Sequence, residues 1–133
     1  MEFAMLSEAA VTTILQVRAS AHVVEFYRDR LGLDYQGPNL EGQEMFSLAG
    51  GAALALAPGP DATPTGRTEL SFEVHDIAAE ISNLEQRGVT FSDYDLPDLK
   101  TVDHVCLLGS QKAAWFQDPD GNVLCLHEVV LSD

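Results

Sequence analysis

The chain repeats itself, and the repeat limits the folds open to it. Gly51-Ala52-Ala53-Leu54-Ala55-Leu56 aligns with Gly121-Asn122-Val123-Leu124-Cys125-Leu126, and Phe46 aligns with Phe116 at the same offset. The starts of the halves agree too, because Thr12–Val17 and Glu69–Val74 each lead from an alternating strand into a helical segment. A repeat of this length marks one supersecondary unit used twice, so it fixes which residues occupy equivalent places.

Each half reads as βαβββ. In the first, residues 11–17 alternate as a strand, with Thr12, Ile14 and Gln16 on one face and Thr13, Leu15 and Val17 on the other. Ser20 reads as an N-cap, Val23, Phe26, Tyr27 and Leu31 recur at helical spacing, and Gly32 supplies the stop. Strands over 33–36, 43–49 and 52–57 follow, broken at Gly37-Pro38 and at Gly50-Gly51. The Pro/Gly-rich stretch 58–66 reads as the linker between a first module of about 8–57 and a second of about 67–130, within a single domain.

In the second half, strand 67–74 leads to a helix capped by Asp76, with Ile77, Ile81 and Leu84 inward and Gly88 at its end. Strand 89–94 precedes a weakly patterned segment, 95–111, that reads as a lid or as holding a short strand. Strands 112–117 and 122–128 flank Asp118-Pro119-Asp120-Gly121, which suits a type I turn. The fold class is α+β.

Composition narrows the partners. Against 7 Lys and Arg stand 21 Asp and Glu, a formal charge of −14. Such a surface argues against nucleic acid and anionic membranes, which select clustered cations. No stretch reads as a spanning segment or signal peptide, so a cytoplasmic protein is expected. The two cysteines, Cys106 and Cys125, read as reduced thiols.

Phe26-Tyr27 with Leu31-Gly32-Leu33, then Trp115-Phe116-Gln117-Asp118-Pro119-Asp120-Gly121-Asn122, resembles the vicinal oxygen chelate superfamily of glyoxalase I, bleomycin- and fosfomycin-resistance proteins and extradiol dioxygenases. The resemblance spans nearly the whole chain and implies two tandem βαβββ modules forming a cupped mixed sheet with helices on its convex side. It also implies four positions at which metal-dependent members carry His, Glu or Gln. Here those positions fall on Thr12, Ala55, Glu69 and Cys125.

Only Glu69 in that quartet is a good oxygen ligand; Ala55 has no donor, Thr12 is a weak one and Cys125 is soft. No cofactor is therefore expected, although a divalent ion held by Glu69, Cys125 and His127 is compatible with strand parity. By the same parity Ile14, Gln16, Ala53, Ser71, Glu73, Ala113, Trp115, Gln117, Val123 and His127 face inward, and the leucines between them face the helices. The ligand-binding candidates are Trp115, Glu69, Glu73, Gln16, Ser71, Gln117, Cys125 and His127.

Trp115 offers a stacking surface, or else is a half-buried core aromatic. Glu69 is the candidate catalytic base, with Glu73 four residues on along the same strand face. Lys100, Asp103 and His104 lie in the lid candidate, and His22 and His75 sit at exposed helix starts.

Two functions remain open. One is a metal-free binding protein of the bleomycin-resistance type, sequestering an aromatic or cationic small molecule. The other is a glyoxalase-like lyase or isomerase, or a dioxygenase-like or otherwise divergent metalloenzyme, using Glu69 with His127. Either is expected as a homodimer, the commonest soluble assembly.

Overall fold

A computed structural model describes residues 5–18 and 21–129. The chain divides into two compact units between Thr63 and Pro64, inside the stretch expected to link the modules. The Ser20 cap lies outside the described residues. Among those described, no helix is long and apolar enough to cross a membrane.

Module one contains β1 (Thr12–Val17), α1 (Ala21–Glu25), β2 (Asp34–Pro38), β3 (Glu44–Ser47) and β4 (Ala53–Pro58). Its sheet runs β1-β4-β3-β2, with β1 parallel to β4 and the other pairs antiparallel. The helix α1 widens into a π turn over Phe26–Arg30, closed by Leu31 N–H donating to Phe26 O at 3.0 Å, before Gly32 turns left-handed at φ +73°. Phe26 and Tyr27 are both buried there, edge to face at 5.4 Å. Tyr27 reaches Phe46, and Phe46 reaches Tyr35, so one aromatic chain fills this core.

The expected break at Gly37-Pro38 is instead part of β2. Tyr35 pairs with Phe46 and Gly37 with Met45, so Gln36 is the extra residue of a bulge, and Gly37 takes the φ of +88°. Pro38 is tolerated because β2 is an edge strand. Across this pair the Tyr35 hydroxyl donates to the Glu44 carboxylate, which pushes the phenol above its usual range.

Module two contains β5 (Thr68–Glu73), α2 (Ile77–Gln86), β6 (Phe91–Ser92), β7 (Asp95–Leu96), β8 (Leu99–Lys100), β9 (Cys106–Leu108), β10 (Gln111–Gln117) and β11 (Val123–Val129). Its sheet order, β5-β11-β10-β6, repeats that of module one strand for strand. The register repeats as well. Ile14 opposes Ala55 and Leu15 opposes Leu56, while their repeat partners Ser71 and Phe72 oppose Cys125 and Leu126. The alignment read from sequence is thus the alignment of the two ladders from Leu70 and Leu124 onward, while a register shift between Val123 and Leu124 makes Glu69 the extra residue of a bulge where module one pairs Thr12 with Ala53.

Asp76 caps α2 by accepting from Ala79 N–H at 3.1 Å, and Glu128 of β11 accepts from Ile77 N–H at 2.8 Å. Two carboxylates therefore meet the positive end of the helix. Ile77, Ile81 and Leu84 are buried as expected, and Gly88 ends the helix at φ +92°.

Segment 95–111 holds short strands. β7 and β8 form a hairpin, Val102 bridges Val105, and β9 pairs with β10. Asp103 and His104 both adopt positive φ, +51° and +72°, an uncommon conformation for residues with a Cβ. His104 is held there by Asp93 at 2.8 Å on Nδ1, by Glu85 at 3.3 Å on Nε2, and by Phe91 stacked beneath it. It serves as a clamp between α2 and the end of β6.

Candidate functional site

Residues directly opposite one another in a ladder share a face, and in module two this brings most of the candidates into two rows. Ser71 opposes Cys125, Cys125 opposes Trp115, and Trp115 opposes Ser92, giving one row across four strands. The next row reads Glu73, His127, Ala113 and Cys106. The opposite face carries the buried Ala114, Phe116, Leu124 and Leu126. Alternation produces the division: one face is wholly apolar, and the other is mixed, with Cys125, Ala113 and Cys106 buried and Ser71 and Glu73 exposed.

Within the rows the side chains join. Ser71 Oγ lies 2.6 Å from His127 Nδ1, and His127 Nε2 lies 3.7 Å from Glu73 Oε1. Cys125 is 5% exposed, and its thiol donates to Leu126 O at 3.2 Å. Burial pushes that thiol up, the nearby Ser71 side chain and Ala114 backbone offsetting part of the rise. Trp115 is half-buried with Tyr94 edge-on at 5.6 Å. Glu69 accepts from Thr65 Oγ1 at 2.7 Å at the other end of β5.

Glu69 and Glu73 have separate partners, and Glu73 is exposed. Gln117 is exposed at the end of β10. Gln16 is exposed on β1, on the equivalent face of module one. Lys100 lines an open pocket of about 490 Å³ bounded by Pro97, Leu99, Val102 and Leu107, which takes in none of the ligand-binding candidates. His22 and His75 are exposed, as expected.

The resemblance implies a divalent ion, and the donors do not suit one. Ala55 is buried and offers no donor, Cys125 is a buried protonated thiol, and Glu69 is engaged by Thr65. The rescue with His127 fares no better, since its nitrogens face Ser71 and Glu73. Among the described residues no group of three or more His, Cys, Asp or Glu is placed to hold a metal.

The Ser71–His127 contact escaped the sequence reading. Its signal was the repeat, which set Ser71 beside Cys125 and left His127 one pleat along, within side-chain reach.

Two modules with the same mixed strand order define a protein of the vicinal oxygen chelate class, the glyoxalase, bleomycin-resistance and dioxygenase superfamily. More narrowly, the chain belongs to the glyoxalase-like domain family, whose model matches residues 12–127. No curated protein matches it in sequence. Among solved structures it is similar to a member of the glyoxalase/bleomycin resistance protein/dioxygenase superfamily from Sphaerobacter thermophilus, at 26% identity and TM-score 0.67 over 90% of this chain and 96% of that one. It is similar in fold to TnmS3, an antibiotic binding protein from Streptomyces sp. CB03234, at 24% identity and TM-score 0.59 over 89% and 94% of the chains. The fosfomycin resistance protein FosX from Listeria monocytogenes also shares the fold, at 15% identity and TM-score 0.64 over 92% and 91%.

Proposed function

We propose that the protein binds an aromatic or cationic small molecule on the polar face of the module-two sheet, without a metal. The observation that carries this reading is the row Ser71, Cys125, Trp115 and Ser92, in which a half-buried indole braced by Tyr94 stands beside hydrogen-bonding groups. Strands lie about 4.8 Å apart, so Ser71 and Trp115 are separated by about 10 Å, the span of a fused or substituted aromatic ring. Glu73 and Glu69 add negative charge, which favours a cation over the indole. The fold shared with an antibiotic-binding protein supports the same reading. Nothing brings Glu69 and His127 together, so no observation favours the lyase or metalloenzyme alternative.

Titration calorimetry with bleomycin and with the cationic aromatic ethidium tests it. We expect saturable binding of at least one probe, unchanged by EDTA and weakened about tenfold or more by Trp115→Ala, the equivalent of about 1.4 kcal/mol. Binding that requires an added divalent ion, or no saturable heat with either probe, refutes it. The same reading takes the protein as a cytoplasmic homodimer, and a monomer mass by light scattering refutes the assembly.

A further inference from the structure

The polar face of module two also carries an arrangement that a binding surface has no need of. His127 stands between a hydroxyl and a carboxylate: Ser71 Oγ is 2.6 Å from Nδ1, and Glu73 Oε1 is 3.7 Å from Nε2. One tautomer of the neutral ring suits both contacts, the first a hydrogen bond and the second, beyond hydrogen-bond distance, an electrostatic approach. With the proton on Nε2 directed at Glu73, the Nδ1 lone pair accepts from the Ser71 hydroxyl. A nucleophile within reach of a base, and a base oriented by a third group, is the recurring geometry of covalent catalysis.

The surroundings suit this arrangement. Ser71 is exposed on its strand, so an electrophile can reach Oγ. The imidazole is less exposed than either partner, 24% against 72% for Glu73, which restricts its motion. Trp115 lies in the Ser71 row, two strands away, where an aryl group can stack.

We infer that Ser71, His127 and Glu73 form an acyl-transfer site for aryl esters, with Ser71 the nucleophile, His127 the general base and Glu73 a positioning residue. Ser71 Oγ bonds to the ester carbonyl carbon as its proton passes to His127 Nδ1. The bond from acyl carbon to aryl oxygen breaks, and the departing phenolate takes that proton from His127. The products are a phenol and an ester on Ser71. Water then attacks the acyl carbon, losing a proton to His127, and the released alkoxide of Ser71 recovers that proton as the carboxylic acid departs. No oxidant, reductant or further reactant is needed. The site is independent of the binding reading above, since an ester can react there whether or not other ligands bind.

The test is pre-steady-state mixing of the intact protein with p-nitrophenyl acetate, followed by peptide mass mapping. A burst of p-nitrophenol stoichiometric with chains is expected, with the acetyl group on Ser71. Ser71→Ala abolishes the burst, Ser71→Cys keeps it and moves the adduct to the new thiol, and His127→Gln slows acylation about a hundredfold. Glu73→Gln slows it as well, and Glu73→Asp recovers part of the loss, which a role in folding alone does not predict. An undiminished burst in Ser71→Ala, an adduct on Cys125 or a lysine in place of Ser71, or no burst above buffer each overturns the inference.

Discussion

Replacing Asp118 by alanine tests whether the turn between β10 and β11 is held by its buried carboxylate. Asp118 is 5% exposed and Asn122 4%. Oδ1 accepts from the backbone N–H groups of Asp120 and Asn122, and Oδ2 accepts from Asn122 Nδ2, all at 2.9 Å. The backbone adds Gly121 N–H to Asp118 O at 2.9 Å and Asp118 N–H to Asn122 O at 3.0 Å. In Asp118→Ala the backbone bonds remain, while the two Asn122 donors lose the carboxylate in a place water reaches poorly. A buried donor left unmade costs about 1–3 kcal/mol, and the half-buried Asp120 amide is resolvated at lower cost. Relief of the carboxylate's own burial offsets part of this, leaving a net loss of about 3 kcal/mol. For a chain of this size that lowers Tm by about 10–15 °C. Urea unfolding followed by circular dichroism reads the same quantity at 25 °C. Asp118→Asn keeps one acceptor but turns an amide toward Asn122 Nδ2, so about half the loss is expected. An Asp118→Ala change within about 0.5 kcal/mol of wild type refutes the reasoning, because that is the range of surface substitutions without such partners.

Cys125 gives a pH dependence with a definite sign. Because burial raises its thiol, the folded chain holds a proton that the unfolded chain loses above about pH 8.5. Its contribution is fully present below that pH and is lost as pH rises toward the folded value; Cys125→Ala flattens the alkaline slope of a urea-midpoint profile, and an unchanged slope counts against the assignment. Phe46 and Phe116 are repeat equivalents and both fully buried, so Phe46→Ala and Phe116→Ala each cost about 3–5 kcal/mol by thermal unfolding; a loss below about 1 kcal/mol at either argues against close packing around that ring. Asp76→Ala costs about 1 kcal/mol through its lost bond to Ala79 N–H, and no change in urea midpoint would show that Glu128 alone secures the helix start.

Much of the fold was readable because the repeat and the pleat are both periodic. Thr12–Val17 and Thr68–Glu73 follow from alternation, Asp76 and Gly88 bracket α2, and Asp118 to Gly121 form the expected turn. The misreading at Gly37-Pro38 came from treating both residues as breakers, when an edge strand admits proline and a bulge uses the positive φ of glycine. Segment 95–111 was opaque for a different reason. Its strands are two or three residues long, below any period, and its shape depends on His104 bonding to Glu85 and Asp93, both outside it. Which candidates share a row, Ser71 with Cys125 and Trp115 and Glu73 with His127, was legible because parity assigns residues to a face, whereas Glu69 falls at a bulge that parity does not foresee. The connections between the rows were not legible, since a 2.6 Å contact between Ser71 and His127 depends on rotamers and on register across 56 residues.

The repeat supplies an internal comparison for that site. Register places Ile14 where module two has Ser71, Gln16 where it has Glu73, Ala55 where it has Cys125 and Ala57 where it has His127. Module one forms the same four-stranded order with these residues, so neither the pairing of β5 with β11 nor the apolar core requires a hydroxyl, an imidazole or a carboxylate there. Ile14 is 61% exposed, a cost that a polar residue at the same position avoids, so solvation could account for Ser71 or Glu73 taken singly. It does not account for their both converging on the two nitrogens of one ring. Solvation asks only that a polar side chain face water, whereas here a hydrogen bond to Nδ1 and a carboxylate 3.7 Å from Nε2 favour one orientation of the ring. That added order is the ground for assigning the proposed chemistry to module two.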